Sequence, residues 1–556
     1  MSLADWRLYV PKTYTVLRKG YGFSDFRADA IAGLTVAIVA LPLSMALAIA
    51  SGATPDRGLI TAVVAGFVIS LLGGSRFQIG GPTGAFVVIV YGVIAKHGYD
   101  GLIIAATLAG LMLIAAGLLR AGDLIKYFPD PVTTGFTTGI AIIIFTSQIK
   151  DFFGLSILHA PADFLPKLAA LWEARGTLNL QAVWVASLSL AIILGCRRYA
   201  PQVPGFLLAT VVGALATVFL KLPIPTIGSV FGAMPSSLPA PSFGHWDLAK
   251  VKEVAPSAFT IALLAGVESL LSAVVADQLT GRRHRSNVEL VAQGIANIAS
   301  AAFGGLPATG AIARTATNIR SGARTPVAGM LHAVFILAFM LLFARFASYI
   351  PLATLAAILM VVALNMAEID RFKTLLTSSR GERAVLLATC GLTVLVDLTM
   401  AIEAGMVLAA FIFMHRMAGL ASIEHEGALV EGDQDDFKRD GEAYAPNFAL
   451  PKDVGVINFR GPLFFGSASL LKDALDQIGA KKRVFVLNFE ESPMIDATGA
   501  HALGKLIARL EHGGTRVILA GARPMVMREL KRSTPAEVLD KLERCDDMAA
   551  ARSALN

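Results

Sequence analysis

GGLPATGAIARTATNIRSGAR, residues Gly304–Arg324, is the stretch on which the fold turns. It lies between long apolar segments, yet it opens with Gly, Pro and Thr and carries three arginines, Arg314, Arg320 and Arg324. A helix exposed to hydrocarbon does not look like this, because each unsatisfied backbone amide there costs several kcal/mol. Interrupted backbone at that depth is tolerated where it lines a cavity or is covered by protein. Gly80–Phe86, GGPTGAF, has the same character. The two stretches are expected to face each other and form a substrate site.

The rest of the chain supplies the membrane. Of 556 residues, 55% are hydrophobic and only 16% charged, against about 25% charged in soluble domains. Mean hydropathy is +0.64. Runs such as Ala28–Ala53, Leu102–Leu119, Pro204–Leu220 and Val327–Phe346 approach or exceed the roughly 20 apolar residues a bilayer span needs. The N-terminal stretch has no compact apolar core followed by a small-residue cleavage site, so no cleaved signal peptide is expected. Cys196, Cys390 and Cys545 are scattered and suggest neither a disulfide framework nor a metal site. The net charge of +7 comes from basic residues at the ends of apolar segments. That is the positive-inside bias rather than a nucleic-acid surface. No P-loop, nucleophile elbow or metal motif is visible, so neither an enzyme nor a cofactor is expected.

Taken in order, the spans fall into two inverted sets of seven, about fourteen in all. Arg7, Lys12, Arg18, Lys19 and Arg27 place the N-terminus in the cytoplasm. Seven crossings end near Lys221, and an eighth, Pro256–Ala276, begins a second set. Gly80–Phe86 opens the third element of the first set, and Gly304–Arg324 is the third element of the second. The fifth elements also begin alike, at Tyr127-Phe128-Pro129 and Tyr349-Ile350-Pro351. Matching interrupted segments in two halves are a sequence pointer to a transporter's midplane site. Residues 1–29 are read as a cytoplasmic segment, 30–418 as the transmembrane domain and 419–451 as an acidic linker. Residues 452–556 form a small α/β domain, with strands at Val456–Phe459, Val484–Phe489 and Thr515–Leu519. Its helices are expected near Ala468–Ile478 and Thr498–Leu510.

Two helix N-termini, each worth roughly +0.5 charge, offer an anion backbone N–H groups within the membrane. The donors are read as the amides around Thr83, Gly84 and Ala85 and around Gly310, Ala311 and Ile312, with Ala313 beside them. Thr309 is a cap or ligand. Arg314 lies about a turn beyond Gly310, and a membrane-embedded arginine is functional by default. Glu268 sits mid-span in LLAGVESLLSAV, where desolvation disfavours its charged form. It is read as the proton carrier.

These motifs resemble the sulfate permease (SulP) transporters. The resemblance is carried by DFRADAIAGLTVAIVALPLSMALAIASG, GGPTGAF, GVESLLSAVVADQLTG, GLPATGAIARTATNIRSGARTP, and then GPLFFGSA and PMIDATGAHAL. Within the family the chain looks close to the bacterial C4-dicarboxylic acid transporter branch. The resemblance implies an α-helical polytopic protein of core and gate domains with a cytoplasmic STAS domain. It also implies elevator-like transport, a homodimer in the bacterial inner membrane, and both termini in the cytoplasm. It places Leu43 and Leu47 on the pocket wall, Leu43 standing where many relatives carry a polar residue. Sodium-coupled relatives have an aspartate and a nearby threonine where this chain has Glu268 and Ser272, which favours protons as the coupling ion. In related anti-sigma-factor antagonists a phosphorylatable residue occupies the place of Thr498. A cytoplasmic protein partner of the STAS domain is one consequence, and a simple helix cap by Asp496 or Thr498 is the other reading. The expected function is proton-coupled uptake of a C4-dicarboxylate such as succinate, fumarate or aspartate. Sulfate, bicarbonate or an anion channel are the alternatives.

Overall fold

The computed structural model describes residues 9–123, 128–157, 161, 163–235, 237–243, 246–419, 422–426, 453–464 and 482–555. They divide into two compact units, Met1–Val407 and Leu408–Asn556. After α1 (Lys12–Leu17), the first unit runs through α2 (Phe23–Ala50) and α3 (Pro55–Leu72) to a two-residue strand, β1 (Gly80–Gly81). A 3-10 turn, Gly84–Phe86, leads into α4 (Val87–Leu118). Then follow α5 (Asp130–Phe152), α6 (Phe164–Glu173), α7 (Leu180–Tyr199), α8 (Gly205–Phe219) and α9 (Ile227–Phe231). The second set comprises α10 (Leu248–Thr280), α11 (Ser286–Ala302), β2 (Thr309–Gly310) and α12 (Ile312–Arg320). It continues with α13 (Val327–Ala347), α14 (Leu352–Met366), α15 (Ile369–Leu376), α16 (Arg380–Leu395) and α17 (Leu398–Ala418).

Among the described residues, nine helices are long and apolar enough to cross a membrane. One of them, α4, holds two of the expected segments, because Gly98 at φ 71°, ψ −176° breaks it. Such backbone is open to glycine and little else. Four shorter segments, α8, α11, α12 and α16, complete the fourteen. Pro129 and Pro351, both extended, stand at the N-caps of α5 and α14, so the repeated fifth elements start alike. α10 begins about two turns before Pro256, its start capped by Asp247 accepting from Ala249 N at 3.1 Å.

The helices pack in two groups. α2, α3, α4, α10, α11, α12 and α13 form one, and α5, α7, α8, α14 and α16 the other. Close approach in lipid depends on small residues, because the tails are as apolar as leucine. At the crossing of α4 and α11, a Cβ on Gly110 would stand 2.6 Å from the Gly294 carbonyl oxygen, and one on Gly294 2.5 Å from that of Gly110.

The second unit holds a five-stranded sheet of β3 (Ser422–Glu426), β4 (Val454–Arg460), β5 (Val484–Asn488), β6 (Arg516–Ala520) and β7 (Glu543–Cys545), in that order. β3 pairs antiparallel with β4 and the rest are parallel. Alternation along β5 sends Val484 and Val486 to one apolar cluster and Phe485 and Leu487 to the other. The Phe459 and Phe489 rings stack at 4.4 Å. β3 corrects the expected boundary, for it lies inside the stretch read as linker. Its sequence, SIEHE, lacks an apolar run because it is an edge strand, where polar residues are usual. The expected helix near Ala468–Ile478 and the rest of the linker lie outside the described residues. The helix expected at Thr498–Leu510 is α18 (Ala497–His512), capped by Asp496, which accepts from Gly499 N at 2.8 Å. Thr498 is exposed in its first turn.

The glycine crossing gives a test of the packing. Gly294→Val should lower the stability of the detergent-solubilised protein by about 1–3 kcal/mol, read as a lower melting temperature.

Candidate functional site

The two interrupted stretches meet. β1 and β2 pair antiparallel, Gly80 opposite Gly310 and Gly81 opposite Thr309, and Ala311 N donates to Ile79 O at 2.8 Å. The ladder is short because a helix start follows each strand. Neither start has a side-chain cap: Thr83 stands before the turn leading into α4, and Ala311 before α12. Their first N–H groups are therefore left to other partners.

Arg314 ties one stretch to the other. Its Nη2 donates to the Pro82 carbonyl, while Nη1 has no hydrogen-bond partner among the described residues, and the side chain is buried. No carboxylate among the described residues forms an ion pair with it. The guanidinium lies against Gly81, where an added Cβ would come within 2.6 Å of Nη1 at φ 150°. Glu268, partly exposed on α10, touches the first stretch: the Thr83 hydroxyl donates to its Oε2 at 3.1 Å.

The other expected residues have defined places in the fold. Thr309 is fully buried, and its hydroxyl donates to the Ala265 carbonyl at 3.1 Å and pairs with the Ser269 hydroxyl at 2.6 Å. It fixes the strand and does not cap α12. Ser272, expected beside Glu268, instead donates to Thr315 Oγ1 at 3.1 Å. Ile312 and Ala313 are exposed, whereas Ala311 is buried. Gly84 and Ala85 are buried, with Met366 Sδ and Ile144 Cδ1 lying 2.9 and 3.6 Å from where a Gly84 Cβ would stand. Leu47 is buried in the same apolar cluster as Ala85, and Leu43 is partly buried against it.

Sequence reasoning missed the residues that hold the backbone in place. Ser269 Oγ accepts from Gly310 N at 3.1 Å, and Thr315 Oγ1 accepts from Ile79 N at 3.1 Å. Asn297 pairs with both backbone atoms of Ala308, at 2.9 and 2.8 Å. Thr61 Oγ1 accepts from Leu306 N at 2.7 Å, and the Gly304 carbonyl takes Arg57 and the Tyr99 hydroxyl at 2.9 and 2.8 Å. The only signal was polarity inside apolar helices, as at Asn297 in ANIAS. Gln78 is buried with neither amide atom partnered among the described residues, and a Cβ on Gly310 would strike its Nε2 at 1.7 Å.

A cavity of about 730 Å3 approaches this site from the helix ends remote from the arginine-rich loops. It reaches Val87 and Ile144 and is lined farther out by Tyr91, Lys167, Asp397 and Glu403. Lys167 lies over the Tyr91 ring at 5.3 Å, and burial lowers its ammonium below the ordinary lysine range.

Two uncapped helix starts joined in one pair of strands, in a fourteen-segment membrane fold whose chain also carries a sheet domain, are an arrangement suited to anion transport. The family comparisons agree. Residues 26–389 match the sulfate permease family and residues 445–544 the STAS domain. The chain belongs to the sulfate permease family, whose members transport anions. It is 41% identical over 527 residues to "Putative sulfate transporter YvdB" of Bacillus subtilis (strain 168), covering 94% of this chain and 95% of that one. It is 30% identical to the bicarbonate transporter BicA of Synechocystis sp., covering 95% and 94%. Its fold superposes on the murine Solute Carrier 26 family member A9 anion transporter in the inward-facing state with a TM-score of 0.87 at 16% identity, over 100% of this chain and 95% of that one.

The cradle around Gly81 can be tested directly. Gly81→Ala should cost about 1–3 kcal/mol through backbone strain and the displaced guanidinium, whereas Gly92→Ala, with open space around its would-be Cβ, should melt like wild type.

Proposed function

We propose that the chain is a secondary active transporter of a small inorganic oxyanion, sulfate or bicarbonate, driven by protons through Glu268. The observation that carries this reading is the strand pairing that joins two uncapped helix starts beside Arg314 and Glu268. Sulfate and bicarbonate are the anions named for the relatives at 41% and 30% identity. The C4-dicarboxylate expectation has no support among them, so the inorganic oxyanions displace it as the leading substrates.

The anion sits against the amides of Gly84, Ala85, Ile312 and Ala313. Leu43 and Leu47 form the apolar wall. Two helix dipoles and Arg314 bring roughly +2 of charge to the site, falling to about +1 when Glu268 ionises. An anion held there therefore favours the protonated carboxyl, and by reciprocity a proton on Glu268 favours the anion. Thr83 is the point of contact, since its hydroxyl meets Glu268 directly before the first helix start. Transport carries the group of helices that includes α4, α10 and α12 past the group that includes α5 and α14, in an elevator-like motion. The arginine-rich loops and both termini face the cytoplasm of a bacterial cell, and the protein works as a homodimer. Thr498, exposed where added phosphate would meet a helix N-terminus, suits a regulatory contact with a cytoplasmic partner.

Proteoliposome uptake of labelled sulfate, bicarbonate and succinate, with and without an inward-directed proton gradient, tests the reading. Sulfate or bicarbonate should accumulate above equilibrium only with the gradient. Glu268→Gln should flatten the pH dependence, and Arg314→Ala should cut uptake about a hundredfold, as loss of a charge-assisted contact of about 3 kcal/mol implies. Equilibration without accumulation would support a channel, and wild-type behaviour of both variants would remove these residues from the site.

A further inference from the structure

At the arginine-rich end of the first unit, loops that the transport reading leaves unused form a basic pocket. A pocket of about 410 Å3 is lined by Lys19, Asp25, Arg76, Phe77, Arg282 and Arg324, among others. The cations come from four separate parts of the chain: the segment after α1, the loop before β1, the α10–α11 turn and the α12–α13 turn. The single carboxylate on the wall, Asp25, is already taken by Arg324 Nη1 at 3.0 Å. Lys19, Arg76 and Arg282 have no ionic partner among the described residues.

This convergence is enforced. Lys12 N donates to Gly73 O at 3.0 Å and Lys12 Nζ to Arg283 O at 2.9 Å, while Arg285 N donates to Gly74 O at 3.1 Å and its guanidinium to Val10 O. Glu289, fully buried on α11, accepts from Gly74 N at 2.8 Å and Ser75 N at 3.2 Å, holding the loop that carries Arg76. Nearby Asp277 is bound to His284 at 2.7 Å and so is turned to that partner. Burial first, then the neighbouring arginines 282 and 285, hold Arg76 below its ordinary range. Burial and the same neighbours act on Lys12. Unbalanced like charges held together by hydrogen bonds suit a multivalent anion, and arginines from several directions match the oxygens of a phosphate.

We propose that this pocket binds a phosphate group, carried either by an anionic lipid headgroup or by a soluble phosphate ester. Its occupant would clasp the bases of α2, α10, α12 and the loop into β1, the elements that carry the transport site. Asn318 of α12 already donates to the Phe77 carbonyl on the pocket wall, at 2.8 Å, so the ligand and the transport site share a rigid link.

The test uses the full-length protein in neutral detergent at fixed ionic strength, with melting temperature as the readout. Dihexanoyl-phosphatidylglycerol and glycerol 1-phosphate are the probes, and dihexanoyl-phosphatidylcholine is the zwitterionic control. At least one probe should stabilise the wild type while the control does not. Response to the lipid alone assigns the membrane as the source, and response to glycerol 1-phosphate assigns a soluble ester. In Arg76→Gln/Arg282→Gln, binding should weaken about tenfold for each arginine removed. Lys19→Gln, at an exposed side chain, should show a smaller loss and serves if the double variant does not fold. No stabilisation of the wild type by either probe, or equal responses in wild type and variants, would overturn the proposal.

Discussion

Everything in the membrane unit depends on satisfying backbone where two helices are interrupted. A lone strand of two residues inside a bilayer would leave N–H and C=O groups without partners, each at a cost of several kcal/mol. Pairing Gly80-Gly81 with Thr309-Gly310 meets that demand for both stretches at once. Each stretch therefore needs the other, and the inverted repeat is what brings them together from opposite directions. The same pairing sets two helix starts side by side. Their unfilled donors are then a consequence of the solution rather than a separate device.

The pairing is held by a polar frame spread over surrounding helices. Thr61 on α3, Ser269 and Ser272 on α10, Asn297 on α11 and Thr315 on α12 each bond to the interrupted segments or to one another. Short hydroxyl and amide side chains do this at little cost in volume. Glycine completes the frame where backbone must approach backbone, as at Gly110 and Gly294. A buried arginine without a carboxylate partner is costly by itself. Arg314 is tolerated because the Pro82 carbonyl shares its charge, and a bound anion would complete the arrangement.

Much of this was legible from the sequence, for a physical reason. Hydrophobic length and basic ends are strong signals in a membrane protein, so the fourteen segments and their two sets could be counted. Glycine, proline and threonine in an apolar chain marked both interrupted stretches, and the structure brings them together. The anchoring serines and threonines were not legible, because a hydroxyl in a membrane helix usually bonds back to its own helix and gives no sign of a distant partner. Ser272 is an example: the resemblance to sodium-coupled relatives set it beside Glu268, and in the structure its hydroxyl donates to Thr315. Polar edge strands escape in the same way: β3 carries no apolar run and was read as linker. The identity of the anion is not legible in the sequence, since backbone amides, the proposed donors, report charge and not the shape of a ligand.

Under the proposed function, the frame would let a proton and an anion act on each other without a long relay. α10 presents Glu268 to the first interrupted stretch, through Thr83, and Ser269 to the second, through Thr309 and Gly310. Adjacent residues on one helix thus hold both halves of the site. A change of charge at Glu268 is felt at the residue directly before one helix start, and the next residue fixes the strand leading to the other. Rigid strand pairing prevents the two starts from separating to relieve the change. On that proposal the energetic consequence would fall on an anion held between them, as coupled transport requires of a site.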